Sequence, residues 1–220
     1  MEVAQVSVII PVYNESEYID DILKNLNFEW IKEIIVINDG SKDDSLNKLK
    51  KYNNIIIVNH PVRLGKARAL ETGLKYAKGD ILLLLDADLG KSVQEAEKLV
   101  NPLINQKTNM TIAIIPFYGG GFGLLRYFAK KVLKFKTGNY LKAPLSGQRA
   151  ISKEILNYIL PFSDGFGLEL GIDIDIYKNN INYKEIECQF KHRVTGRNFS
   201  GFIHRGRQFK DILKVLVNKW

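Results

Sequence analysis

A chain of 220 residues, 45% hydrophobic and 25% charged, is ordinary for a globular protein and long enough for one substantial core. Its longest apolar runs fall far below the roughly 18 to 20 residues that span a bilayer, and Met1 to Gln5 lack a basic region followed by an apolar signal core, so the expectation is a cytoplasmic protein. The single Cys188 excludes an internal disulfide and a cysteine metal cluster, and the net charge of +8 is uneven: residues 1–97 carry 16 acidic and 12 basic side chains, residues 98–220 carry 8 and 20.

Val6 to Pro11 reads as a short buried strand that Pro11 helps to end. Ile19, Ile22, Leu23 and Leu26 follow with one-face helical spacing, and Glu15, Glu17 and Asp20 suit the early turns of that helix. Glu33 to Ile37 is a second strand leading into the turn Asn38-Asp39-Gly40-Ser41. Asp43 or Asp44 is expected to cap a helix running to about Tyr52, and Asn54 to Val58 supplies a third strand. Arg63-Leu64-Gly65-Lys66 opens a helix with Ala67, Leu70, Leu74 and Ala77 on its inner face.

Gly79 to Gly90 then holds five consecutive aliphatic residues ending in Asp86-Ala87-Asp88, the pattern of a strand buried on both faces of a parallel sheet. In an open α/β sheet, ligands bind outside the carboxyl ends of the strands, which is where these two carboxylates emerge. An Asp-x-Asp there suits a hard divalent cation, Mg or Mn, bridging nucleotide phosphates; the bland alternative is a strand-ending turn. Four rounds of strand and helix predict an α/β fold, a mostly parallel central sheet flanked by helices, with Pro11 to Glu15, Asp39 to Ser41, Gly65-Lys66 and Asp86 to Asp88 converging on one crevice. Neither Gly-x-x-x-x-Gly-Lys-Ser/Thr nor Gly-x-Gly-x-x-Gly follows the first strand, which argues against a P-loop enzyme and a dinucleotide dehydrogenase.

Four ordered blocks, Val8 to Glu15, Ile35 to Asp43, Arg63 to Leu70 and Asp86 to Asp88, resemble those of the family 2 glycosyltransferases. The resemblance is dense over the first hundred residues. It implies the glycosyltransferase A (Rossmann-like) fold, a nucleotide-sugar donor with UDP favoured, and Mg or Mn at the Asp-x-Asp. It further implies that Pro11, Tyr13, Glu15, Asp39, Ser41 and Lys66 line the nucleoside and phosphate site, with Asp86 and Asp88 near ribose, diphosphate and metal. The expected organisation is a catalytic domain over 1–200, with a nucleotide-sugar half (1–97) and an acceptor half (98–200), followed by a basic amphipathic helix over 201–220.

The second half then selects the acceptor. Met110 to Ile115 is a fifth strand, and Gly119, Gly120, Gly121 and Gly123 form a hinge-like cluster. In the next helix Leu124, Leu125, Phe128, Val132 and Phe135 share a face while Arg126, Lys130, Lys131, Lys134 and Lys136 project widely, a pattern that fits an anionic membrane surface or packing on the helix's own domain. From Lys98 to Lys153 there is no Asp or Glu, which points to an anionic partner such as a phosphorylated substrate, a membrane surface or nucleic acid, with a solvated basic face as the bland alternative. Ser146-Gly147-Gln148-Arg149 is similar to the polyprenyl-phosphate glycosyltransferases, whereas Phe166 to Gly171 with the late His192 is similar to the glucosyl-3-phosphoglycerate synthases. Glu169 either orients the acceptor or only favours a helix start.

By the synthase resemblance His192 is a metal ligand beside Asp86 and Asp88, although the polyprenyl-phosphate enzymes tend to carry an acidic residue there. Gly147, Arg149, Arg193, Arg197 and Asn198 are expected at the acceptor, because guanidinium binds phosphate through paired hydrogen bonds. A last helix places Phe209, Ile212, Leu213 and Leu216 on one face, with Lys210, Lys214, Lys219 and Trp220 around it, ready for the domain, a lipid surface or a second subunit in a homodimer. A metal-dependent transferase acting on a phosphate-bearing acceptor, polyprenyl phosphate or a soluble ester, is therefore expected, with no nucleic acid partner. A nucleotidyltransferase lacks its Gly-rich loop here, and a basic membrane- or nucleic-acid-binding module leaves the carboxylate strand unexplained.

Overall fold

The computed structural model describes residues 4–115, 122–138, 140–165, 167–192, 211 and 214–219. Seven strands form one sheet: β1 Val6–Val12, β2 Ile31–Asp39, β3 Ile56–His60, β4 Ile81–Leu84, β5 Met110–Ile114, β6 Arg149–Ser152 and β7 Tyr183–Glu187. Their order is β3-β2-β1-β4-β6-β5-β7. All neighbours run parallel except β6, which is antiparallel to both β4 and β5. The glycosyltransferase A architecture expected from the sequence is present.

The strands are aliphatic on both sides because both sides are covered. Ile9, Leu82 and Leu84 point to one layer, where they meet Ala67 and Leu70 of α3 (Lys66–Leu74) and Leu170 and Ile174 of α7 (Gly167–Lys178). Val8, Ile10 and Leu83 point to the other, against Ile19 and Ile22 of α1 (Ile19–Asn25) and Leu99 and Val100 of α4 (Ala96–Ile104). Each of the Val, Leu and Ile side chains contributes about 1.5–3 kcal/mol by leaving water. Helix α7 is buried on nearly every side, its leucines and isoleucines in the core and its Asp173 and Asp175 carboxylates paired with Arg149 and Lys219.

The helix expected from Asp43 to Tyr52 is only α2, Ser45–Leu49, and β3 begins two residues after the expected Asn54. The stretch after Gly147 forms β6, followed by helical turns at Lys153–Ile155 and by α6, Leu156–Ile159. A four-residue strand wedged between two others leaves no periodic signature. Its reversed direction delivers residues 147–149 to the carboxyl end of β4.

Helix α5 (Phe122–Thr137) buries Ala129 and Leu133, and Phe128 packs against the same layer. Phe135, expected on one apolar face with Phe128, is 86% exposed. The glycine cluster at 119–121 lies outside the described residues. Residues 214–219 are helical and dock on α7, with Val215 buried and the Lys219 ammonium bonded to the Asp175 carboxylate. None of the described helices is long and apolar enough to cross a membrane.

Candidate active site

Strand β4 ends at Leu84, and the chain stays extended to Asp86 before it turns into short 3-10 helix from Ala87. Asp86 therefore stands at the sheet edge with its carboxylate in the crevice. Its Oδ1 pairs with Lys66 Nζ at 2.8 Å, and its Oδ2 accepts a 2.7 Å hydrogen bond from Gln148 Nε2. Burial alone would raise this carboxyl's pKa, but Lys66, His192 and Gln148 outweigh it and hold the group below the ordinary carboxylate range.

Lys66 also reaches Glu169 Oε1 at 3.0 Å, so one ammonium joins the first turn of α3 to that of α7. Burial opposes its charge, yet the two carboxylates raise its pKa above the usual lysine value. Gly147 sits against this pair so closely that a Cβ there would stand 2.6 Å from Lys66 Nζ and 3.1 Å from Asp86 Oδ2. A side chain at this position would displace the Lys66 ammonium from the pair.

His192 Nδ1 lies 3.0 Å from Asp88 Oδ1. Burial would lower the imidazole's pKa, but Asp88 and Asp86 raise it. Asp86, Asp88 and His192 present ligand atoms within 4.8 Å of one another, and two carboxylates with one imidazole fit a hard to borderline divalent cation.

The crevice around these groups has a volume of about 330 Å³ and is walled by Pro11, Val12, Tyr13, Glu15, Asp39, Arg63, Lys66, Asp86, Ala87, Asp88 and His192. Asp39 lines it but spends both oxygens on structure: Leu64 N and Gly65 N each donate at 2.8 Å, and His60 Nδ1 lies 2.9 Å away. Gly40 (φ 68°) lets that turn press on the 62–63 backbone, where a Cβ would meet Arg63 N at 2.6 Å. The guanidinium of Arg63, so positioned, stacks 4.0 Å from the centre of the Tyr13 ring. Ser41 is not on the wall; its hydroxyl accepts from Asn14 N and braces the loop carrying Tyr13 and Glu15.

Arg149 requires a correction. Expected at the acceptor, it is 1% exposed, paired with Asp173 at 2.7 Å, and donates from Nε to the Ser146 carbonyl at 2.9 Å. It braces the Gly147-Gln148 turn from behind. Arg193, Arg197 and Asn198 lie outside the described residues. Two groups escaped the sequence reading: Arg63 on the wall, although it opens a recognised block, and Gln148, which bonds Asp86 and filled the variable place between Gly147 and Arg149.

The glycosyl transferase family 2 model matches residues 7–158. An uncharacterized protein of Methanocaldococcus jannaschii is 34% identical over 230 residues, covering 98% of this chain and 92% of the relative. A dolichyl-phosphate beta-glucosyltransferase of Trichomonas vaginalis is 33% identical over 126 residues, 49% of this chain; the match spans only 38% of that relative's length. Among solved structures, the glucosyl-3-phosphoglycerate synthase of Mycobacterium tuberculosis in complex with Mn2+, UDP-glucose and phosphoglyceric acid superposes with a TM-score of 0.81 at 25% identity, over 98% of this chain and 79% of that one. With its carboxylate strand, its crevice and a family match running through both, the chain belongs to glycosyl transferase family 2.

Proposed function

We propose that the protein transfers a sugar from a nucleoside diphosphate sugar, UDP-sugar being favoured, to a phosphate-bearing acceptor, with the aid of Mg or Mn. The observation that carries this reading is the single crevice in which Lys66 faces Asp86, Asp88 and His192 at the carboxyl ends of the strands. Asp88, His192 and Asp86 would hold the cation, which supplies stabilisation of the charge that develops on the departing diphosphate. Lys66 offers a second positive charge to the same diphosphate, and the flat Tyr13 and Arg63 surfaces suit a nucleobase. Pro11, Glu15 and Asp39 shape the nucleoside end.

Glu169 and the Gly147-Gln148 turn close the opposite side, where an acceptor hydroxyl would approach the sugar. Glu169 orients that hydroxyl once Lys66 turns to the diphosphate. Arg193, Arg197 and Asn198 supply the acceptor's phosphate site. Within this reading we favour a polyprenyl phosphate, supported by the basic second half and the similarity to dolichyl-phosphate enzymes. A soluble phosphate ester is the second reading, favoured by the likeness to the synthase crystallised with phosphoglyceric acid.

The test is transfer or hydrolysis with a panel of nucleotide sugars, comparing the wild type with Asp88→Ala. Activity should require added Mg or Mn, favour UDP-sugars and vanish in the variant while its melting temperature is unchanged. Full metal-dependent activity in Asp88→Ala would overturn the assignment.

A further inference from the structure

We propose that the outward face of α5, with Tyr140 beside it, is a docking surface for an anionic phospholipid bilayer. The proposal rests on the transferase reading above and names the surface on which that enzyme works.

Tyr127, Lys131, Lys134 and Phe135 follow the i, i+4, i+7, i+8 spacing of one helical face. That face is opposite the buried Ala129 and Leu133, so it contributes nothing to the core. Its aromatic groups are large and open: Phe135 is 86% exposed, Tyr127 59% and neighbouring Tyr140 56%. A lone exposed aromatic is unremarkable, but these alternate with cations. Lys131 Nζ lies 5.5 Å from the Tyr127 ring centre and Lys130 Nζ 5.3 Å from that of Tyr140. Among residues 98–153 no carboxylate offsets the charge. Apolar rings among lysines match a bilayer's own order, acyl boundary beneath anionic headgroups.

Topology gives the surface its relevance. β5 runs parallel to β4, and β6 begins beside Leu84, so the connection carrying α5 leaves and re-enters the sheet at its carboxyl edge. That edge carries the crevice. The same connection ends in Gln148, which holds Asp86. A bilayer seated on α5 would lie against the connection that returns to the sheet beside the crevice.

The experiment is co-sedimentation of the full chain with phosphatidylglycerol vesicles and, separately, phosphatidylcholine vesicles, at low and high salt. Binding is expected to phosphatidylglycerol at low salt, weakened by salt and weak on phosphatidylcholine. Lys131→Ala with Lys134→Ala should weaken it by about twenty- to thirtyfold, at roughly fivefold per lysine. Tyr127→Ser with Phe135→Ser should weaken it about tenfold or more through lost ring burial. None of these positions touches the crevice, so UDP affinity with Mn should stay at the wild-type value in every variant. The proposal is overturned if vesicles are ignored at low salt, if both double variants bind as the wild type does, or if duplex DNA or self-association accounts for the sedimentation. A chain that binds UDP with Mn but not vesicles loses only this surface; one that binds vesicles but no UDP loses the transferase reading.

Discussion

Lys66 is shared between two carboxylates, Asp86 and Glu169, to which the proposed function gives different jobs, the donor side and the acceptor side. A diphosphate drawing on that ammonium competes with Glu169 for it. Glu169→Gln should therefore bind UDP more tightly, by roughly fivefold, equivalent to about 1 kcal/mol for a partly exposed pair, while sugar transfer falls. Calorimetric titration with UDP and Mn checks the sign: weaker binding would mean that Glu169 positions Lys66 for the donor. At this scale the charged residues that meet in the crevice were legible in the sequence, Asp86 and Asp88 because they close an aliphatic strand, and Lys66 and His192 through the family resemblance. Gln148 was not legible. A neutral amide carries no motif, and its meaning comes only from the Asp86 oxygen it meets across 62 positions of chain. Arg149 misled for the opposite reason, since a guanidinium reads as a phosphate ligand until burial beside Asp173 assigns it elsewhere.

Among the elements, the start of α2 shows how a loop is tied to the site. Asp43 accepts from Ser16 N and Ser45 N, each at 3.0 Å, and so joins the Asn14 to Ser16 segment to the first turn of α2. Its slight burial would raise the carboxyl's pKa, but these hydrogen bonds hold it down at about 2, against 3.8 for an ordinary aspartate. A depressed folded-state pKa stabilises above the unfolded value and is lost as pH falls through the folded one. Asp43→Asn should accordingly be less stable than the wild type at neutral pH, with the gap closing as pH drops from 3.8 toward about 2 in urea titrations. The long elements and the first four parallel strands were legible from periodicity. The short strand β6 was not, because Arg149 to Ser152 holds no aliphatic run like that of β4, and the true length of α2 was not, because its five residues span little more than one helical turn.

For the molecule as a whole, the buried Arg149–Asp173 pair locks β6 to α7, with side-chain exposures of 1% and 0%. Arg149→Met leaves Asp173 buried without its countercharge and should cost about 3–5 kcal/mol of unfolding free energy in urea. An acceptor-binding role would instead lower acceptor use at unchanged stability. The sheet itself is built out of sequence order. β4 completes the strand–helix series of the first ninety residues, yet its partner on one side, β6, is reached only at residue 149. A ribosome making this chain vectorially therefore exposes the backbone edge of Ile81 to Leu84 through the synthesis of some sixty-five further residues. Nascent chains halted before β6 should aggregate or recruit a chaperone, and chains released after Ser152 should do so less, a contrast that pelleting of stalled ribosome complexes would reveal. A foreign sequence replacing residues 98–220 would have to bring its own matched β6, or leave that same leucine-rich edge open in the finished protein.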